Sequence, residues 1–306
     1  MVSLTTKICG KIFKSPLILT SGVLGTEAEL LARVARSGLG AVTTKSCGLV
    51  PRVGHENPTV LAWENGLINA VGLTNPGVDQ EIEEIKRLKK LLDGTIIIAS
   101  FFGATKKEFI QVAGRLSLAC PDFLEVNLSC PNTECEFGRA FATDAKDTQE
   151  ITRSVKKVTK IPIIVKLSPN VTDIKIIARA AEDGGANAIS AINTPTGMLI
   201  DVESGKPMLT NKFGGISGPA IRPIAIRCVY EIASSVKIPI IGIGGVTYGR
   251  DAVEMIMAGA TAVGVGSAVY YRGIRVFGKI NQEILRFMGA HHFKNLEEIR
   301  SSAHEN

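Results

Sequence analysis

The chain has 306 residues, of which 45% are hydrophobic and 5% aromatic, and carries a formal charge of +6 at pH 7. That apolar fraction excludes disordered and collagen-like classes, and the length suits one α/β barrel, for which about 250 residues is typical. Basic residues are interspersed with acidic ones, as from Glu81 to Lys90, so the positive balance reads as a solvated surface rather than a nucleic-acid patch, while leaving room for a positive pocket that takes a small anion.

Thr5 to Lys14 reads as a small hairpin turning at Cys9-Gly10. Buried strands follow at Leu17 to Thr20, Ala41 to Thr44, Ile96 to Ser100, Phe123 to Asn127, Ile163 to Leu167, Ala188 to Ile192, Ile240 to Ile243 and Ala262 to Val265. Between them runs a repeated joint of helix end, glycine stop and small-residue strand, at Ser37-Gly38-Leu39-Gly40-Ala41, Asp183-Gly184-Gly185-Ala186 and Ala258-Gly259-Ala260. Ile161-Pro162 and Ile238-Pro239 open two of the strands, where a missing backbone donor is tolerated. Parallel strands alternating with helices predict a TIM (β/α)8 barrel over residues 1–306 as a single domain. An open doubly wound sheet is the alternative, and it normally carries a GxGxxG turn after its first strand, which Leu17 to Thr20 lacks.

Two segments, Gly48 to Gly77 and Thr194 to Ile221, exceed ordinary βα loops and are read as pocket walls. Ile274 to Met288 reads as a closing helix. No apolar stretch reaches the roughly 18 residues of a membrane span, and the start lacks a signal-peptide core. A cytoplasmic protein is expected, its six cysteines reduced.

Chemistry concentrates at the strands' carboxyl ends. Cys130 follows the fourth strand, and Pro131 breaks the strand there into a loop. A thiol in that place is a candidate base, needing activation because an ordinary thiol pKa near 8.5 leaves little thiolate at pH 7. Metal binding by Cys130 and Cys135 is the rival reading, weakened by the lack of a second ligand pair, and His55, His291, His292 and His304 show no ligand spacing. Gly242-Ile243-Gly244-Gly245 and Gly264-Val265-Gly266-Ser267 end the last two strands, where this barrel commonly binds a phosphate on bare amides. Lys45 and Lys166 end or interrupt strands, a costly placement unless an electron-rich ligand compensates. Asn69, Asn75, Asn127, Asn132 and Asn193 add amides that suit a ring bearing alternating carbonyl and imide groups.

Taken together, Thr44-Lys45-Ser46, the run Asn69 to Gly77, Asn127-Leu128-Ser129-Cys130-Pro131-Asn132, the run Val165 to Asn170, Ile192-Asn193-Thr194, the run Gly215 to Ala220 and the two glycine loops closely resemble the dihydroorotate dehydrogenases of class 1. The resemblance implies FMN, its phosphate on Gly244, Gly245, Gly266 and Ser267 and its ring near Ser21, Lys45, Ser46, Ser100, Asn127, Lys166, Ile192 and Gly218. It implies dihydroorotate on Lys45, Asn69, Ala70, Val71, Gly72, Leu73, Asn127, Asn132, Asn193 and Thr194, with Cys130 as the catalytic base and no metal.

The run from Gly138 to Asp144 looks like the 1B catalytic subunit, which implies a homodimer within a heterotetramer whose iron-sulfur partner carries FAD and a 2Fe-2S cluster and passes electrons to NAD. Thr133 to Phe137 departs from the usual 1B loop. Two other readings are weighed beside this one, a dihydropyrimidine dehydrogenase-like reductase and a non-catalytic barrel that binds a phosphorylated ligand.

Overall fold

The computed structural model describes residues 2–92, 94–128 and 141–305, so Cys130, Asn132 and Cys135 lie outside the described residues. Eight parallel strands close a barrel: Leu17–Leu19, Ala41–Thr43, Ile96–Phe101, Phe123–Asn127, Ile163–Leu167, Ala188–Ala191, Ile240–Ile243 and Ala262–Val265, each paired with its neighbour in that order and the last with the first. These are the strands expected from the sequence, with ends shifted by at most a residue. Every residue of the first six is buried, because helices cover the outside and side chains fill the inside; hence the runs are continuously apolar rather than alternating.

The repeated glycine joints have one physical cause. Gly38, Gly185 and Gly259 follow the helices Ala28–Ala35, Ile174–Asp183 and Gly249–Met257, and their φ values of +96°, +96° and +114° are ones that a Cβ disfavours. Helix starts are equally local. Thr105, Asp144 and Asp173 each accept an amide hydrogen from the first turn of the helix they precede.

The barrel interior is one apolar cluster containing Ile18, Ile98, Phe123, Ile164 and Ile241, and the amino-terminal hairpin, Thr6–Ile8 with Lys11–Phe13, plugs it. Ile8 and Phe13 are fully buried in that cluster, and the Phe13 ring packs on Phe123 with centroids 6.0 Å apart. Burying each such side chain contributes roughly 1.5–3 kcal/mol. With this end closed, the opposite rim is left for a ligand.

The two long segments build something that neither contains alone. Val60–Trp63 and Gly66–Asn69 from the first pair with Thr196–Gly197 and Gly214–Ser217 from the second in a four-stranded antiparallel sheet over the barrel mouth. Asn69 stands opposite Gly215 and its side chain donates to the Gly215 carbonyl at 3.2 Å. The closing helix spans Val276–Ala290. No described helix is long and apolar enough to cross a membrane.

Candidate active site

A cavity of about 490 Å³ opens at the carboxyl ends of the strands, within the range of cofactor pockets. Each functional side chain reaches it from the end of a strand or from the overlying sheet. Among the positions singled out for a flavin, Ser21, Lys45, Ser46, Asn127, Lys166, Ile192, Gly218, Gly244, Gly245, Gly266 and Ser267 line it. Asn69, Val71, Gly72, Leu73, Asn193 and Thr194 line the same space from the substrate set.

Three of the positions singled out from the sequence lie outside the cavity wall. Ser100 does not line the cavity; it lies wholly buried one layer below, hydrogen-bonded to Ser46 at 2.7 Å, because it falls inside a strand that continues to Phe101. Ala70 is buried beside the cavity rather than in its wall, since it packs with Ile68 and Leu209 under the added sheet. Asn75 is scaffolding: its side-chain oxygen accepts from the Gly48 and Gly77 amides at 3.1 and 2.9 Å, and its amide donates to the Leu73 carbonyl at 2.8 Å. The placements expected for Cys130 and Asn132 lie outside the described residues.

The floor is a hydrogen-bonded polar layer. Asn127 donates to Ser46 Oγ at 3.1 Å, Ser46 N donates to Ser21 Oγ at 3.1 Å, and Ser46 and Ser100 hydroxyls meet below them. Ser100 then donates to Glu125 Oε1 at 3.0 Å, and Ser190 donates to Glu125 Oε2 at 2.9 Å. Lys166 is 6% exposed, with Nζ 4.0 Å from Glu125 Oε1. Glu125 escaped the sequence reading, although one signal was present: a carboxylate in the middle of an otherwise apolar strand must find partners in the interior.

The rim opposite is shaped for an anion. Gly244 and Gly245 have φ of +137° and +72°, and a Cβ on them would stand 2.6 Å from Ala225 Cβ and 2.7 Å from the Arg222 backbone nitrogen. Among the described residues, the amides of Gly244, Gly245, Gly266 and Ser267 find no acceptor within the protein. Unpaired donors gathered at one rim suit a phosphate. Asp251, which the sequence reading also passed over, holds this loop by accepting from the amides of Thr247 and Tyr248.

This donor set fits a flavin nucleotide: bare amides for an anionic tail, and Lys45, Lys166 and Asn127 around the space where an electron-rich ring would lie. No group of three or more His, Cys, Asp or Glu among the described residues could hold a metal ion.

Comparison with known proteins points the same way. The family model for dihydroorotate dehydrogenase matches residues 3–288. The chain is 45% identical to the dihydroorotate dehydrogenase B (NAD(+)) catalytic subunit of Methanocaldococcus jannaschii, over 99% of this chain and 98% of that one. It is 46% identical to the proteins of the same name from Methanosarcina mazei, over 97% and 94% of the two chains, and from Pyrococcus abyssi, over 97% of each. The chain belongs to the dihydroorotate dehydrogenase family.

Proposed function

We propose that this chain oxidises dihydroorotate to orotate in pyrimidine biosynthesis, using FMN held in the barrel mouth. The observation that carries the reading is one cavity in which Lys45, Asn127, Lys166 and Asn193 converge opposite the free amides of Gly244 and Gly245, in a chain of this family. Gly244, Gly245, Gly266 and Ser267 would hold the FMN phosphate. Lys166 and Asn127 line the cavity floor, where they would face its ring.

The substrate ring is rich in carbonyl and imide groups, and it carries a carboxylate. Asn69, Asn127 and Asn193, together with Asn132 of the loop, offer it paired donors and acceptors, while Lys45 offers a cation for the carboxylate. Thr194 donates its amide to Asn193 Oδ1 at 2.9 Å, which orients that side chain. Cys130, as thiolate, removes the proton from carbon 5. When bound, FMN supplies the acceptor for the hydride leaving carbon 6. The double bond of orotate forms between these two carbons. Lys166 presents a fixed ammonium at the cavity floor, an electrostatic contribution that requires no reorganisation during the reaction.

The relatives named as catalytic subunits support a further element. The chain works as a cytoplasmic homodimer with an iron-sulfur partner subunit that carries FAD and a 2Fe-2S cluster, and electrons reach NAD through that subunit.

Anaerobic visible spectroscopy of the purified chain tests the reading. Dihydroorotate is expected to bleach the flavin band. A yellow protein that dihydroorotate leaves unchanged would mean a different pyrimidine, and a protein unable to take up FMN would favour a barrel that only binds a phosphorylated ligand.

A further inference from the structure

Glu125 has no part in the chemistry above, yet it is 3% exposed inside the barrel, directly beneath the cavity floor. Its neighbours come from three other strands. Ser100 stands in register with Glu125 on the third strand, and Ser190 stands in register with Lys166 on the sixth. Both carboxylate oxygens are thereby occupied by hydroxyl donors, at 3.0 and 2.9 Å. Lys166 Nζ remains 4.0 Å from the nearer oxygen, beyond the 2.7–2.9 Å of a charge-assisted hydrogen bond. A buried ammonium without a compensating anion is costly, and one locked into a tight ion pair would have its protons turned away from the cavity. The two serines resolve this conflict by satisfying the carboxylate, so that it attracts Lys166 without capturing it.

We propose that Glu125 is a positioning residue, which together with Ser100 and Ser190 keeps Lys166 charged and aimed into the cavity. The inference rests on the flavin reading for its functional consequence, because Lys166 would face the ring. The tie between the two residues does not depend on that reading.

The test is a double-mutant cycle on the full chain with Glu125→Gln and Lys166→Met, read in two ways. The first is urea unfolding of the four flavin-free proteins. Each single variant leaves one buried charge uncompensated and is expected to lose stability, while the double variant loses less than the two losses added together. Additive losses would overturn the proposal. The second is the midpoint potential of the bound FMN between pH 7 and 9. Glu125→Gln is expected to move the potential toward the Lys166→Met value as pH rises, by the equivalent of roughly tenfold or more in the reduction equilibrium, and to have no effect in the Lys166→Met background. An equal shift in both backgrounds would also overturn it. Should Glu125→Gln fail to fold, Ser190→Ala keeps the charge but frees Oε2 to draw Lys166 inward; it is expected to lower the potential at every pH, again only when Lys166 is present, and an unchanged potential counts against the proposal. If the unfolding cycle shows coupling but the wild-type chain takes up no FMN, the tie stands and the flavin reading falls.

Discussion

The Asp251 carboxylate holds the Thr247 amide at 2.9 Å, reaching back from a helix to the loop that carries the bare amides of Gly244 and Gly245. The same oxygen accepts from Tyr248 N at 2.8 Å, and the other pairs with Arg222, whose backbone lies against Gly245. Arg272 braces the loop from the far side, donating to the Thr247 carbonyl at 2.8 Å while paired with Glu283. The loop is thus set in position before any ligand arrives, which lowers the ordering cost of binding.

Asp251→Ala should therefore weaken FMN binding by roughly tenfold to hundredfold, since hydrogen bonds to a charged group contribute about 1.5–3 kcal/mol each and two backbone amides lose their acceptor. Asp251→Asn keeps one oxygen for those amides and should lose less. Fluorescence titration of the flavin-free protein measures both. Equal affinity in wild type and Asp251→Ala would show that the loop holds its shape without this brace.

Glu81 governs a second, pH-dependent property. It is fully buried on the apolar face of the helix Val78–Leu91, and among the described residues neither carboxyl oxygen has a hydrogen-bond partner of good geometry, the Thr44 hydroxyl standing nearby. Burial pushes its pKa up to about 7, opposed only in part by the Thr44 hydroxyl and the Lys45 charge. In the unfolded chain the carboxyl ionises near 4.5. Stability from the protonated form is fully present below that value and is lost as pH rises through about 7, a change of roughly 3 kcal/mol. Glu81→Met, similar in volume, should raise the melting temperature more at pH 8 than at pH 5. An equal rise at both would mean that Glu81 does not titrate in the folded protein.

Much of this molecule could be read from its residues because the relevant forces are local. Strands buried on both faces leave continuous apolar runs, and helix ends that need positive φ leave glycines such as Gly38, Gly185 and Gly259. Cavity positions such as Lys45, Asn127, Lys166, Asn193 and Gly244 stand out because they lie at the carboxyl ends of those strands. The sheet over the mouth was legible only as two long loops, since Asn69 pairs with Gly215 across 146 positions and nothing local signals a partner so distant. Glu125 stayed hidden for the same reason: Ser100, Lys166 and Ser190 reach it from three separate strands.

A partner requirement separates the electron-transfer element from the half-reaction. The isolated chain, loaded with FMN, should be reduced by dihydroorotate yet pass electrons to NAD slowly, and addition of the iron-sulfur subunit should restore turnover. Robust NAD reduction by the isolated chain, measured at 340 nm as an ordinary nicotinamide assay, would remove the partner from the pathway.

Cys130→Ser tests the proposed base. A hydroxyl in place of the thiol holds its proton far more tightly, so at neutral pH the variant lacks a competent acceptor for the carbon 5 proton, and general-base catalysis typically contributes 10²–10⁴-fold. FMN binding should be unaffected, because the phosphate loops and Lys166 lie on other strands. Rapid-mixing measurement of flavin bleaching should show reduction by dihydroorotate slowed on the order of 10²-fold or more at pH 7, with the deficit narrowing only once pH passes the ordinary thiol range near 8.5. The wild-type rate should climb toward the ordinary thiol range near pH 8.5 and then level. A variant that bleaches as fast as wild type at pH 7 would assign proton removal to another group, and a variant that binds no FMN would place Cys130 in the architecture of the site instead of its chemistry.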